Sequence, residues 1–335
     1  MAFNRALNIP MDGIASLALA NLLNPVVLFF VLGLGAALAR TDLSIPEAVA
    51  KTLAIYLMMS IGLKGGIAVN KAGLSPAVLQ VAAMGVALGF ILPLIAYAAL
   101  KWTSKLETAT AAAVAAHYGS ISLVTFVAGT ELLKARGVAS DGYMVAVMAL
   151  METPAIIAGL WLARRDPSAK AQAASGDLWR EVFLNGSVVV LMGAFAIGWI
   201  AGEDGAKNVK PFFEDMYRGV LCLFLLDMGL IAGARLRNAA RLTWPLGAFA
   251  VYMPLTGALL GLSASMILGL SPGNGALFAI LCASASYIAV PAAMRLALPQ
   301  ADPSVYLTLS LALTFPFNLT LGMPFYLWAA ERLLG

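Results

Sequence analysis

LTWPLGAFAVYMPLTGALLGLSASMILGLSPGNGALFAILCASASYIAVPAAM, residues Leu242 to Met294, holds no Lys, Arg, Asp, Glu or His in 53 positions. One membrane-crossing helix takes about 20 apolar residues. The run is therefore two crossings, and Ser271-Pro272-Gly273-Asn274-Gly275 is the turn that separates them. The rest of the chain has the same character. Of its 335 residues 61% are hydrophobic and 11% charged, and its mean hydropathy is +0.89. A soluble domain is nearer to 45–50% apolar and about 25% charged. Only lipid can cover so much apolar surface.

Outward from that run, apolar segments between polar breaks predict ten spans. Five fall at 16–39, 47–69, 76–100, 107–133 and 142–163. The most polar segment, Arg164 to Arg180, follows, and five more spans fall at 184–202, 213–235, 243–269, 273–298 and 303–330. The expected fold is all-α and polytopic, with a first repeat over 1–163, a cytoplasmic linker over 164–183 and a second repeat over 184–335. The polar N-terminus, Met1 to Asp12, does not have the pattern of a cleavable signal peptide.

The two halves resemble each other. Ser60-Ile61-Gly62-Leu63-Lys64-Gly65-Gly66 aligns with Asp227-Met228-Gly229-Leu230-Ile231-Ala232-Gly233 at an offset of 167, Gly62 falling on Gly229. Gly119-Ser120-Ile121-Ser122-Leu123-Val124-Thr125 aligns with Ala285-Ser286-Tyr287-Ile288-Ala289-Val290-Pro291 at 166, Ser120 falling on Ser286. Tyr143, Ala149-Leu150 and Pro154 match Tyr306, Ala312-Leu313 and Pro316 at 163 and 162. An odd number of spans per half makes the second half enter from the opposite side. The expectation is a 5+5 inverted repeat, the architecture of many secondary transporters. Twelve of the 21 Lys and Arg fall on the side of the loops after spans one, three, five, seven and nine. That side is expected to be cytoplasmic, with both termini outside.

Backbone breaks at membrane depth are tolerated only where protein or a water-filled cavity covers them. Two are visible, at His117-Tyr118-Gly119-Ser120-Ile121-Ser122 in span four and at Ser284-Ala285-Ser286 before Pro291 in span nine. A half-helix starting at each presents N–H groups and a positive dipole end, which attract an anion without any Arg. Small residues also let helices cross closely, and the two roles are compatible. Asp227 and Glu152 are ionisable groups inside apolar runs, costly there and therefore functional candidates. A carboxylate with nearby hydroxyls suits Na⁺ or a proton. Alternatively, Asp227 pairs with Lys64, or Glu152 lies near an interface. His117, the single histidine, serves either a hydrogen bond at the crossing or a proton or substrate role.

Other chemistries lack support. No H-E-x-x-H, G-x-S-x-G or P-loop occurs. Cys222 and Cys282 lie inside apolar runs and read as small buried hydrophobes. The net charge of +4 comes from basic residues scattered between apolar segments, the distribution of a membrane protein and not of a nucleic-acid binder. An intramembrane enzyme and a channel remain as other classes.

The strings Ala116 to Phe126, Tyr143 to Glu152 and Ser284 to Pro291 resemble the sodium-dependent bicarbonate transporter family of cyanobacteria and other bacteria. The likeness runs from Asn24-Pro25 to Thr314-Phe315-Pro316. It implies Na⁺/HCO₃⁻ symport across the plasma membrane by an elevator-like alternation, and a fold similar to that of bile-acid-type sodium symporters. It implies a core domain from 76–163 and 243–330, a gate domain from 16–69 and 184–235, and a homotrimer. By that likeness Gly119, Ser120, Ser122, Ala285, Ser286 and Tyr287 hold the bicarbonate, and Asp227, Thr125 and Ser60 are candidates for sodium. A PII-like signalling protein binds the cytoplasmic face of cyanobacterial members. Here the linker is short and plain, which puts that partner in doubt and leaves room for another small anion, a short carboxylate or sulfate.

Overall fold

The structure is a computed structural model that describes residues 19, 21–73, 75–163, 186–237, 242–288, 290–291, 293–294 and 298–335. The linker over 164–183 lies outside the described residues. In chain order the helices are α1 (Pro25–Leu38), α2 (Glu47–Ala72), α3 (Pro76–Thr103), α4 (Thr108–Gly119), α5 (Leu123–Ala135), α6 (Met144–Ala163), α7 (Gly186–Ala206), α8 (Tyr217–Arg237), α9 (Trp244–Leu268) and α10 (Pro272–Ala283). The last is α11, a composite over Pro303–Leu334. Among the described residues there is no strand, and eight helical segments are long and apolar enough to cross a membrane. α4 and α5 count as one of these, and α1 and α10 are shorter apolar helices. The 28-residue α3 is about 42 Å long at ~1.5 Å per residue, more than the ~30 Å hydrocarbon core.

Helix starts follow a repeated local rule, a capping residue followed by proline. Proline lacks only an N–H that the first turn could not satisfy, and its fixed φ suits the helix. Asn24 accepts a hydrogen bond from the Val26 N–H at 3.0 Å ahead of Pro25. Ser75 precedes Pro76, and Ser271 precedes Pro272. Asp302 accepts from the Ser304 N–H at 2.9 Å beside Pro303. α9 ends on Gly269 with φ of 62°, a left-handed closure that glycine makes without a Cβ penalty.

α1, α2, α7 and α8 form one group through two close crossings built in the same way. Where α2 meets α7, a Cβ on Gly66 would run into the Phe195 carbonyl and stand 2.6 Å from the Trp199 nitrogen. Likewise a Cβ on Gly198 would run into the Leu63 carbonyl, 3.1 Å from the Ile67 nitrogen. Where α8 meets α1, Gly229 faces the Phe30 carbonyl and the Leu34 nitrogen, and Gly33 faces the Leu226 carbonyl and the Leu230 nitrogen. Each contact of one crossing has its counterpart in the other, at an offset of 163 on α2 and α8 and 165 on the partner helices.

This register differs from the alignment by 167 expected above. In it Gly66 meets α7 as Gly229 meets α1, and Gly62, whose Cβ would meet the Leu191 carbonyl and the Phe195 nitrogen, makes the same kind of contact one turn earlier. The difference is one helical turn. Gly62 and Gly66 share a face, as do Gly229 and Gly233, so a slip of four residues leaves the pattern looking alike.

The remaining helices form a second group. α3 packs on α4 and α6, and α9 packs on α10 and α11. The α4–α5 segment is its centre, with 94% of its most apolar window buried against 33% for α7. α4 and α10 are both twelve residues long and both end on a serine with extended backbone, Ser120 at φ −89°, ψ 154° and Ser284 at φ −84°, ψ 164°. Their offset is 164, so Ser120 corresponds to Ser284 and Ser122 to Ser286, two residues from the expected pairing. The Ser-x-Ser spacing in both halves makes a slip of two hard to see in sequence.

Candidate functional site

Both long apolar stretches expected to break do break. α4 stops at Gly119, residues 120–122 are non-helical, and α5 restarts at Leu123. α10 stops at Ala283, residues 284–288 are non-helical, and residues 290, 291, 293 and 294 are helical again. Backbone without secondary structure at such depth must find its hydrogen bonds elsewhere. It finds them in the other break. The Ser122 N–H donates to the Ser284 hydroxyl at 2.9 Å, and the Ser286 N–H donates to the His117 carbonyl at 2.8 Å. The Ser284 hydroxyl in turn donates to the Leu281 carbonyl at 2.8 Å. Glycine lets α4 approach its neighbour, since a Cβ on Gly119 would collide with the Pro93 ring of α3.

Ser122 is the N-cap of α5, its hydroxyl accepting from the Thr125 N–H at 3.2 Å. The extended backbone at Ser120 and Ser122 separates the Leu123 and Val124 N–H groups from the carbonyls four residues earlier, so both lack intrahelical partners. They sit at the positive end of a buried helix, a site that favours an anion.

A small pocket of about 20 Å³ opens at the crossing. The second helix group supplies Ser122, Ser286, Tyr287 and Glu152, and the first closes the other side with Met58 of α2 and Leu191 of α7. Ser120 lies in the break but not in the pocket wall, and its buried hydroxyl meets no hydrogen-bond partner in the protein. Gly119 and Ala285 belong to the backbone of the two breaks. Of the residues expected to hold sodium, Thr125 is buried in the first turn of α5. Ser60 and Asp227 are buried in the other group, on α2 and α8, and neither lines the pocket. Asp227 Oδ2 meets no hydrogen-bond partner, which an apolar interior normally forbids for a carboxylate.

The alternative of an Asp227–Lys64 pair is not what the fold makes. Lys64 Nζ instead sits over the Tyr217 ring, 4.5 Å from its centroid. Glu152 lies in the pocket wall. His117 is fully buried, stacked on Tyr306 at 4.4 Å between centroids, with Nδ1 donating to the Ala113 carbonyl at 2.6 Å. Nε2 is then the acceptor nitrogen, and it has no partner in the protein.

Three features of the site escaped the sequence. α11 is interrupted by two π-helical turns, Thr308–Thr314 and Asn318–Gly322. Such turns recur at functional sites. From the second turn, Asn318 Nδ2 donates to the Ala283 carbonyl at 2.8 Å and so satisfies the cut end of α10, while Tyr326 holds Asn318 Oδ1 at 2.9 Å. The signal available was a lone Asn in an apolar span, two residues after Pro316. From the first turn, Thr314 donates to the Ala250 carbonyl at 2.7 Å and meets the Tyr118 hydroxyl at 2.6 Å, tying α4, α9 and α11 together. The third feature is Glu131 of α5, 4% exposed in its side chain. It accepts from Arg218 of α8 at 2.6 Å and from Lys134 at 2.8 Å.

Long apolar helices around two mutually bonded broken ones define a multi-pass membrane protein of transporter type. A profile of the Na⁺-dependent bicarbonate transporter superfamily matches residues 25–331, and the chain belongs to that superfamily. A search of curated proteins gave no match. The family is one of transporters, not of enzymes.

Proposed function

We propose that the protein is a sodium-coupled bicarbonate symporter that works by alternating access. The observation that carries this reading is the pair of breaks bonded to one another beside a pocket with one wall from each helix group. A site shared by a broken-helix core and a separate gate is what a moving barrier needs. The core is 76–163 with 243–330, and the gate is 16–69 with 184–235. The near-constant offset of 163 to 165 between corresponding contacts supports an inverted repeat of 1–163 and 184–335.

In this reading bicarbonate sits against the first-turn amides of the half-helices. Ser120, Ser122, Ser286 and Tyr287 supply hydroxyls, and Gly119 and Ala285 supply backbone. Sodium travels as a second cargo, with Asp227, Ser60 and Thr125 as its ligands. Its positive charge offsets the anion in a low-dielectric interior. The superfamily's name supports sodium as the coupling ion. The same reading places the protein in the bacterial plasma membrane as a homotrimer, with both termini outside. A PII-like signalling protein is the partner that this reading puts on the cytoplasmic face.

The test is uptake of radiolabelled bicarbonate into proteoliposomes. An inward Na⁺ gradient should drive accumulation, and K⁺ or choline in its place should not. Equal uptake in all three would remove the coupling. Sulfate and short carboxylates as competitors would reveal a different cargo by suppressing uptake at lower concentration than bicarbonate itself.

A further inference from the structure

The pocket at the crossing is not the only opening between the two groups. A second cavity, of about 210 Å³, lies between α2 and α5 toward the face that carries residues 136–142. Its walls continue those of the pocket. On α2 the pocket is lined by Met58 and the cavity by Ile61, Gly65 and Ala68. On α5 the pocket is lined by Leu123 and the cavity by Phe126, Thr130 and Lys134. Steps of three and four residues keep to one face of a helix. The two openings therefore lie along a single seam between a gate helix and a core helix that both run toward the same face.

What separates them is apolar. Ile61 and Phe126 stand one turn beyond Met58 and Leu123, are 6% and 2% exposed, and line the outer cavity but not the pocket. Beyond them the seam turns polar. Thr130 lies in its wall, and Lys64 and Lys134 stand at its mouth, 4.5 and 6.0 Å from the centroid of the Tyr217 ring between them. The acids there are engaged. Glu131 is held by Arg218 and Lys134, and Asp141 Oδ2 accepts from Asn274 at 2.6 Å. Among the described residues no carboxylate lies within ion-pair distance of Lys64. Lys64 also lines a third cavity, between α2 and α7, where Glu203 is paired with Lys71 and Glu214 with Lys210.

We propose that this seam is the route by which the anion passes between the crossing pocket and that face. The Phe126 and Ile61 side chains are the barrier that closes it in this conformation, and Lys64 is the cation that draws the anion to its mouth. The inference rests on the crossing pocket being the anion site. Truncating Phe126 should open the route without touching either break, and removing the Lys64 charge should weaken anion recruitment in a way that salt also weakens.

The experiment reads access separately from transport. Met58→Cys is reacted with an anionic, membrane-impermeant thiosulfonate, and modification at residue 58 is followed by mass spectrometry, so the native cysteines stay in place. Adding Phe126→Ala should raise the rate about tenfold, equivalent to about 1.4 kcal/mol less barrier. Adding Lys64→Gln should lower it at low ionic strength and have little effect at high salt. Rates indifferent to both changes would overturn the route. In a parallel uptake assay, modified Thr130→Cys should fail to accumulate bicarbonate while modified Ser75→Cys, exposed in the turn between α2 and α3, should still do so. If residue 58 responds as expected but no variant, nor the unaltered protein, takes up bicarbonate, the seam stands and the choice of cargo falls. Undiminished uptake by fully modified Thr130→Cys would overturn the seam as the path of transport.

Discussion

Ser122 illustrates how one side chain serves two levels of the structure. Its hydroxyl caps α5, and its N–H reaches across to the other break. Loss of an N-cap costs about 1 kcal/mol. Ser122→Ala should therefore lower thermal stability modestly, measured by unfolding of the purified protein in detergent, and should reduce uptake more than stability. Nothing in the sequence sets Ser284 above its neighbours in the second break, yet its hydroxyl is the acceptor for the Ser122 N–H. Ser284→Ala would leave that buried N–H unpaired at a cost of about 1–3 kcal/mol. Uptake and stability should fall together there, whereas Ser120→Leu should abolish uptake by filling the crossing while oligomer size, read by light scattering, stays the same. Asp227→Asn should raise the Na⁺ concentration for half-maximal uptake about tenfold or more. An unchanged Na⁺ dependence would take Asp227 out of the cation site.

At the scale of helices, the glycine crossings make opposite predictions for neighbouring positions. A side chain on Gly66 or Gly229 meets backbone, so Gly66→Leu and Gly229→Leu should separate helix pairs and cost about 1–3 kcal/mol or more. A Cβ on Gly35 of α1 would have nothing within 4 Å, and Gly35→Ala should be neutral or stabilising by up to about 1 kcal/mol. Melting temperatures of the three variants in one detergent decide this. These elements were legible in sequence because their signals are local. Cap-proline pairs mark the starts of α1, α3 and α10, and the Gly-Ser runs mark the breaks. The register between the halves was not legible, because a helix that slips by one turn keeps its glycines on the same face. The π turns of α11 were not legible either, since Thr308–Thr314 reads as ordinary apolar helix and takes its shape from tertiary bonds such as Thr314 to the Ala250 carbonyl.

At the scale of the molecule, two helix groups meet at the pocket, along the α2–α5 seam and through the Glu131–Arg218 ion pair. That pair joins residues far apart in sequence, on different groups, and no local pattern announces it. Arg218 is exposed, but Glu131 is buried. Glu131→Gln should therefore weaken the hold of core on gate, though Lys134 loses its partner as well. A change of about 1–3 kcal/mol shifts a two-state balance by roughly 5- to 150-fold. The expected readout is a faster reaction at residue 58 in Met58→Cys carrying Glu131→Gln. An unchanged rate would make the pair a stability feature only.

All of this depends on the anion sitting where the two broken helices meet. The measurement that tests it most directly is an experimental density map of the protein in Na⁺ and bicarbonate, compared with one in choline chloride. Density between the Leu123 and Val124 amides and the Ser286–Tyr287 segment, present only with bicarbonate, is the predicted result. Unbroken helices through residues 120–122 and 284–288, or bicarbonate density elsewhere with this pocket empty, would contradict it.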